Sequence, residues 1–245
     1  MAKKSIDYKG NTFEISYEIL NPKSEVDFIV LHGWGSSKSL MKKVFSPYMQ
    51  DFRHIYIDLP GFGNSTTSTA LNSYDYAKII ELFLQELGVS KDIIAGHSFG
   101  GKIATLLEPK LLVLLSSAGI YLPKSLHVRT KIALFKILKL FGLSKFRSFF
   151  VADDAKQLTP EMYETFKTVV NEDFASVFKN FPNKAVLYWG KEDTATPLEA
   201  AKKINTLIQN SSLEIFDGDH YFFMHYPQEI ARSIEEKFTA LTKRN

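Results

Sequence analysis

Short apolar runs alternate with amphipathic segments through most of the chain. Residues 26–31 and 111–115 are almost continuously apolar, which is typical of strands buried on both faces of a parallel sheet. Between them, residues 74–87 carry apolar side chains at helical spacing, and Gly88 follows as a stop signal. Strands that alternate with helices predict an α/β fold with a mostly parallel, doubly wound sheet.

The same two periodicities predict the remaining elements. We expect an outer antiparallel strand at residues 12–19, and further strands at 54–58, 92–95, 184–189 and 213–216. We expect helices at about 39–50, directly after residue 98, at 197–207 and at 227–241.

The pattern changes between residues 120 and 183. This stretch has helical character, notably at 131–141 and 160–170, and it lacks intervening strands. We therefore predict a helical cap at 120–183, inserted into a core formed by residues 1–119 and 184–245.

Composition narrows the functional class. The chain has no cysteine, which excludes disulfides and thiolate catalysis, and its net charge of +3 is too small to indicate a nucleic-acid partner. The first residues form no signal peptide, and no apolar run has the length of a transmembrane segment. A cytoplasmic protein is the expectation.

One short motif gives the chain a candidate nucleophile. Gly96-His97-Ser98-Phe99-Gly100 follows an apolar run and precedes a helical segment. In the order strand, G-x-S-x-G, helix, the serine lies on a tight turn with its hydroxyl exposed above the sheet. The helix that starts there directs its positive end toward the reacting centre.

A serine nucleophile needs a base, and the base needs a carboxylate that orients it. In the chain order Ser…Asp…His, Asp193 follows the predicted strand 184–189 and His220 follows the strand 213–216. Glu192 is the competing acid, and His225 is a competing base whose position just before the last helix favours a structural role.

Two backbone amides have to stabilise the oxyanion. The residue after the nucleophile, Phe99, supplies one, and Trp34 supplies the other from a loop in which Gly33 permits a tight turn. We find no metal-ligand spacing among the histidines, and Thr66 replaces the third glycine of a dinucleotide motif. The sequence therefore predicts no metal and no cofactor.

These motifs occur together and in a familiar order. The segments His32-Gly33-Trp34-Gly35 and 58–65, the elbow at 96–101, Trp189-Gly190 with Asp193 and Pro197, and Asp219-His220 together resemble the α/β-hydrolase superfamily. The resemblance implies an α/β-hydrolase fold, a triad of Ser98, Asp193 and His220, and oxyanion donors at Trp34 and Phe99. It covers nearly the whole chain outside the predicted cap.

Two branches of this superfamily compete. The chain is similar to carboxylesterases such as the pimeloyl-acyl-carrier-protein methyl ester esterases, and less so to meta-cleavage C–C hydrolases, because Ser36-Ser37 and His97 depart from the C–C hydrolase pattern. A hydrolase-fold protein that binds a ligand without turnover is a further alternative. We expect cleavage of short or medium acyl esters.

Substrate contacts are expected from the catalytic loops and from the cap. The loops offer Gly33, Trp34, Phe62, Phe99 and Tyr221, and the cap offers Arg129 and Arg147 as cations for a substrate carboxylate. Residues 121–150 contain seven basic side chains and no acidic one. This excess is either a solvated helix face or a surface for an acidic partner, such as an anionic substrate or an acyl carrier protein.

Overall fold

A computed structural model describes residues 2–121 and 158–243, and these form one eight-stranded sheet. The strands are β1 (Ala2–Tyr8), β2 (Asn11–Leu20), β3 (Val26–Leu31), β4 (Phe52–Ile57), β5 (Ile93–His97), β6 (Leu111–Leu115), β7 (Lys184–Gly190) and β8 (Ser211–Phe216). Their order across the sheet is β1-β2-β4-β3-β5-β6-β7-β8.

The helices of the described residues connect and cover these strands. They are α1 (Lys38–Phe45), α2 (Ser73–Glu86), α3 (Phe99–Leu106), α4 (Pro160–Val169), α5 (Ala175–Lys179), α6 (Leu198–Leu207) and α7 (Pro227–Thr242). A short 3-10 helix, Phe222–Met224, lies between β8 and α7.

The sheet is parallel from β4 to β8 and antiparallel at its β1–β2 and β2–β4 pairs. Parallel strands buried on both faces need apolar side chains at every position, and β3 shows why. Phe28 and Val30 point into one core layer with α1 and α7, whereas Ile29 and Leu31 point into the other with α2, α3 and α6.

The predicted α/β class and mostly parallel sheet are confirmed, with differences at the edges. The pattern at residues 12–19 indicated an outer strand, but β1 pairs along β2 and takes the outer position. The short polar run of β1 carries Lys3 and Lys4 and little alternation, so its strand character comes from pairing with β2. The helix expected at 39–50 ends at Phe45.

The region expected to be a cap is described only in its second part. Residues 158–182 contain α4 and α5, while the helix expected at 131–141 lies outside the described residues. The division into core and cap stays a prediction. Of the helices in the described ranges, none combines the length and apolar character needed to cross a membrane.

Candidate active site

The candidate nucleophile occupies a strained turn between β5 and α3. Ser98 has φ 50° and ψ −113°, a backbone conformation that residues with a side chain rarely adopt. Two backbone hydrogen bonds hold it: its amide donates to Leu115 at 3.0 Å, and its carbonyl accepts from the amide of Ala118 at 3.0 Å. The turn is thus bonded to the end of the neighbouring strand β6.

The elbow depends on two glycines because backbones approach closely there. A Cβ atom on Gly96 would lie 2.3 Å from the carbonyl oxygen of Gly100, and one on Gly100 would lie 2.6 Å from the carbonyl oxygens of Leu31 and His32. Such distances are far inside van der Waals contact, so α3 can pack against β3 and β5 only without side chains at these positions.

Asp193 and His220 meet at the carboxyl ends of β7 and β8. Oδ2 of Asp193 accepts a hydrogen bond from Nδ1 of His220 at 2.8 Å. The Asp193 side chain is fully buried and that of His220 is 16% exposed. Burial raises the pKa of Asp193, but hydrogen bonds from His220 and from the Thr196 amide outweigh it and lower the value to about 2. The carboxylate is therefore ionised at neutral pH.

The competing residues face elsewhere. The carboxylate of Glu192 accepts a hydrogen bond from the amide of Gly218, so it braces the loop that carries His220. His225 is exposed at the end of the 3-10 helix. Asp219 accepts from the amide of Tyr221, as expected of a turn residue. The geometry places Asp193, and not Glu192, against the histidine.

The predicted oxyanion residues adjoin the elbow. Phe99 is the first residue of α3 and directly follows Ser98. The loop after β3 also lies close to Ser98, because a Cβ atom on Gly33 would lie 3.2 Å from Cβ of Ser98 and 2.8 Å from Nδ1 of His97. The backbone segments that carry the amides of Trp34 and Phe99 therefore both border Ser98.

Several predicted substrate contacts form an aromatic wall beside this loop. The ring of Trp34 packs edge-on against Phe62 at 4.8 Å and Phe99 at 5.6 Å, and Phe166 of α4 lies 5.2 Å away. The ring of Tyr221 packs 5.6 Å from the ring of His220. Arg129 and Arg147 lie outside the described residues.

Two buried histidines next to the site are held neutral. Nε2 of His32 accepts from the Leu59 amide at 3.0 Å, and its Nδ1 lies 2.8 Å from the carbonyl of Gly33, which fits a single neutral tautomer. Burial lowers the pKa of His32 to about 4. Burial and the neighbouring His220 lower the pKa of His97 to about 3, and its Nε2 lies 3.1 Å from the carbonyl oxygen of His220.

Of the three lysines near the site in sequence, Lys191 is exposed and lies 3.8 Å from Asp217, whereas the other two are engaged in buried ion pairs. Lys38 donates to the carboxylate of Asp58, and both side chains are fully buried. Lys102 of α3 donates to Glu172 at 2.6 Å and to the Val169 carbonyl at 2.7 Å. The second pair ties the nucleophile helix to the segment that follows α4.

A cavity of about 670 Å³ is lined by residues that hydrogen-bond to the candidate site. Its lining includes Ala118, whose amide donates to the Ser98 carbonyl, and Thr196, whose hydroxyl lies 3.3 Å from Nδ1 of His220. Among the described lining residues the charged ones are Glu172 and Glu199, with neither lysine nor arginine. The described part of the chain holds no cluster of side chains suited to a metal ion.

Sequence reasoning missed two groups at this site, Thr196 and His97 as contacts of the acid and the base. The contact of Thr196 could have been predicted from the sequence. Asp193 lies in the turn after a strand, and Thr196 follows at the spacing at which a carboxylate accepts from following amides. The contacts of His97 with the His220 loop depend on tertiary packing, and no local sequence pattern predicts them.

The sequence pattern of the alpha/beta hydrolase family matches residues 28–233, which is most of the chain. The chain belongs to the alpha/beta hydrolase family. Among solved structures, an esterase from Exiguobacterium antarcticum superposes with a TM-score of 0.74 at 19% identity and covers 97% of this chain and 100% of its own. At that identity the likeness concerns the fold.

Curated relatives within the family carry different activities in their names. The uncharacterized hydrolase YugF of Bacillus subtilis is 28% identical over 231 residues, covering 81% of this chain and 84% of that protein. A pimeloyl-[acyl-carrier protein] methyl ester esterase of Vibrio campbellii is 38% identical over 79 residues, 32% of this chain and 30% of that protein. A 2-hydroxymuconate semialdehyde hydrolase of Pseudomonas putida is 26% identical over 218 residues, 76% of each.

The buried histidines predict how stability depends on pH. Their folded-state pKa values of about 4 and about 3 lie below the ordinary 6.5, so the unfolded chain binds protons that the native hydrolase does not. The free energy of unfolding therefore falls as the pH is lowered below 6.5, by about 1.4 kcal/mol per pH unit for each histidine, until the folded-state pKa of that histidine is reached.

Urea unfolding at about pH 7 and about pH 5 measures this loss. His97→Gln should reduce it, because one titrating group is removed, whereas His225→Gln at an exposed position should leave it unchanged. Equal pH dependence in His97→Gln and the wild type would contradict the prediction.

Proposed function

We propose that this protein is a serine carboxylesterase that works through an acyl-enzyme. The observation that carries the proposal is the 2.8 Å hydrogen bond between Asp193 and His220 beside the strained Ser98 turn. Asp193 holds the Nδ1–H of His220, which leaves Nε2 as the base for the serine hydroxyl. The roles of all three residues are part of the proposal.

The reaction then takes two steps. The Ser98 oxygen attacks the ester carbonyl carbon while His220 takes the hydroxyl proton, and the amides of Trp34 and Phe99 hold the negative oxygen. Collapse breaks the bond to the alcohol oxygen, which receives the proton from His220. Water, activated by His220 in the same way, then releases the acid and restores the serine.

The cavity beside the site favours an ester over a meta-cleavage product. A dienoate carries a carboxylate, and the described lining offers it no cation: its charged side chains are Glu172, which is paired with Lys102, and Glu199. Lys38 and Lys102 are buried and already paired with carboxylates, so they are not available to bind it, and exposed Lys191 lies 3.8 Å from Asp217 outside this lining. An uncharged ester needs no such cation.

C–C cleavage is the second candidate, favoured by the similarity to the Pseudomonas putida hydrolase along most of the chain. It would need a cation from residues outside the described ranges, for which Arg129 and Arg147 remain the candidates. Ligand binding without turnover is a third. An acyl carrier protein as partner of the basic 121–150 segment, and a cytoplasmic location, also stay proposals.

Covalent labelling tests the nucleophile. A fluorophosphonate probe should label the wild type, because an activated serine attacks phosphorus as it attacks an ester carbonyl. Ser98→Ala should lose both labelling and ester turnover, while Ser117→Ala, in the neighbouring loop, should keep the labelling. Undiminished labelling of Ser98→Ala, measured by mass spectrometry, would refute the assignment.

Paired carboxylate variants test the acid. Asp193→Asn should lower kcat by about 10⁴-fold, because the imidazole loses the partner that sets its tautomer. Glu192→Gln should have a far smaller effect, since Glu192 faces Gly218. Steady-state kinetics with a p-nitrophenyl ester give the comparison, and losses of similar size would mean that the acid is wrongly assigned.

Substrate competition tests the reaction. We expect p-nitrophenyl esters of short or medium acyl chains to be cleaved with a higher kcat/KM than a 2-hydroxy-6-oxo-dienoate, because the dienoate carboxylate lacks a described cation. Arg129→Gln and Arg147→Gln should leave ester cleavage unchanged. Efficient dienoate cleavage that either variant abolishes, with negligible esterase activity, would replace the ester assignment by C–C hydrolysis.

A further inference from the structure

The hydroxyl of Thr196 contacts both the acid and the base. Oγ1 donates to Oδ2 of Asp193 at 2.8 Å and lies 3.3 Å from Nδ1 of His220. The same oxygen lies 3.1 Å from the backbone carbonyl of Ser116, at the end of β6. One hydroxyl therefore contacts both side chains of the pair and the backbone of the residue that follows strand β6.

Thr196 is itself held in place from both sides. Its carbonyl accepts a hydrogen bond from the indole Nε1 of Trp189 at 2.7 Å, and Trp189 is fully buried in β7. Its amide donates to Oδ1 of Asp193 at 2.9 Å. Because threonine is branched at Cβ, its side-chain rotamers are few, and a fixed backbone leaves the hydroxyl little freedom.

The two carboxylate oxygens of Asp193 have different partners. Oδ1 accepts from the amides of Ala195 and Thr196, whereas Oδ2 accepts from the Thr196 hydroxyl and from His220. Without that hydroxyl, Oδ2 would lose the hydrogen bond that holds it in place beside His220. The hydroxyl also draws off part of the negative charge that faces the imidazole.

We propose that Thr196 is a positioning residue for the acid–base pair. Its hydroxyl holds Oδ2 of Asp193 toward Nδ1 of His220. Thr196 also lines the cavity of about 670 Å³, so one residue belongs both to the cavity wall and to the hydrogen bonds of the pair. The kinetic consequence rests on the proposed esterase function, but the hydrogen-bond geometry does not.

Three variants separate the hydroxyl from the shape of the side chain. Thr196→Val removes the hydroxyl at nearly constant volume, and Thr196→Ser keeps it. Thr206→Val makes the same chemical change on an exposed side chain of α6 that does not line the cavity, and serves as the control. Urea unfolding of each variant establishes that the proteins compared are folded.

The kinetic measurement uses a p-nitrophenyl ester. Thr196→Val should lower kcat about tenfold, as the loss of a hydrogen bond to a charged group predicts, with KM little changed. Thr196→Ser should recover most of the loss, and Thr206→Val should behave as the wild type. Equal losses in the valine and serine variants would overturn the proposal in favour of side-chain packing, and an equal loss in the control would overturn it as an unspecific effect of removing a hydroxyl.

A second measurement needs no substrate. Proton NMR follows the Nδ1–H signal of His220. The rings of His97 and Tyr221 pack against it, and His97 stays neutral because burial lowers its pKa to about 3. In Thr196→Val this proton should exchange faster with water, because Oδ2 of Asp193 is held less firmly against Nδ1, whereas Thr196→Ser should match the wild type.

An unchanged Nδ1–H signal in Thr196→Val would overturn the positioning role whatever the activity. A wild type that cleaves no ester, but shows this difference between variants, would refute the esterase proposal and support the positioning role. The two proposals can therefore fail separately.

Discussion

The close approach of α3 to the parallel strands is the constraint on which the site depends. Because Gly96 and Gly100 carry no side chains, the helix backbone reaches β3 and β5 at distances that any Cβ would prevent. That packing bends the chain at Ser98 into its unfavourable conformation, and bonds to β6 hold the bend. The serine therefore lies partly buried at the N-terminus of α3.

Burial and pairing determine which charges remain at this rim of the sheet. Burial lowers the pKa of His32 and His97, so both stay neutral, while buried Lys38 and Lys102 each lie beside a carboxylate. The ionised Asp193 is then the negative group that faces His220.

The family membership leaves the reaction open, because one fold holds different chemistries. Relatives named as an ester hydrolase and as a semialdehyde hydrolase both match this chain. In this chain the described cavity wall holds two glutamates as its charged side chains, and Thr196 belongs both to that wall and to the hydrogen bonds of Asp193.

The sequence alone determined the alternation of strands and helices, the turn at Ser98 and the order of the motifs, because these depend on local periodicity and on glycine spacing. It also placed Asp193 and His220 after successive strands, and parallel strands bring such positions to one edge. The β1 strand, the pairing of Lys102 with Glu172 and the contacts of Thr196 and His97 were decided by tertiary structure. Each joins residues distant in the chain or set by a loop's path, and no local pattern encodes which groups meet there.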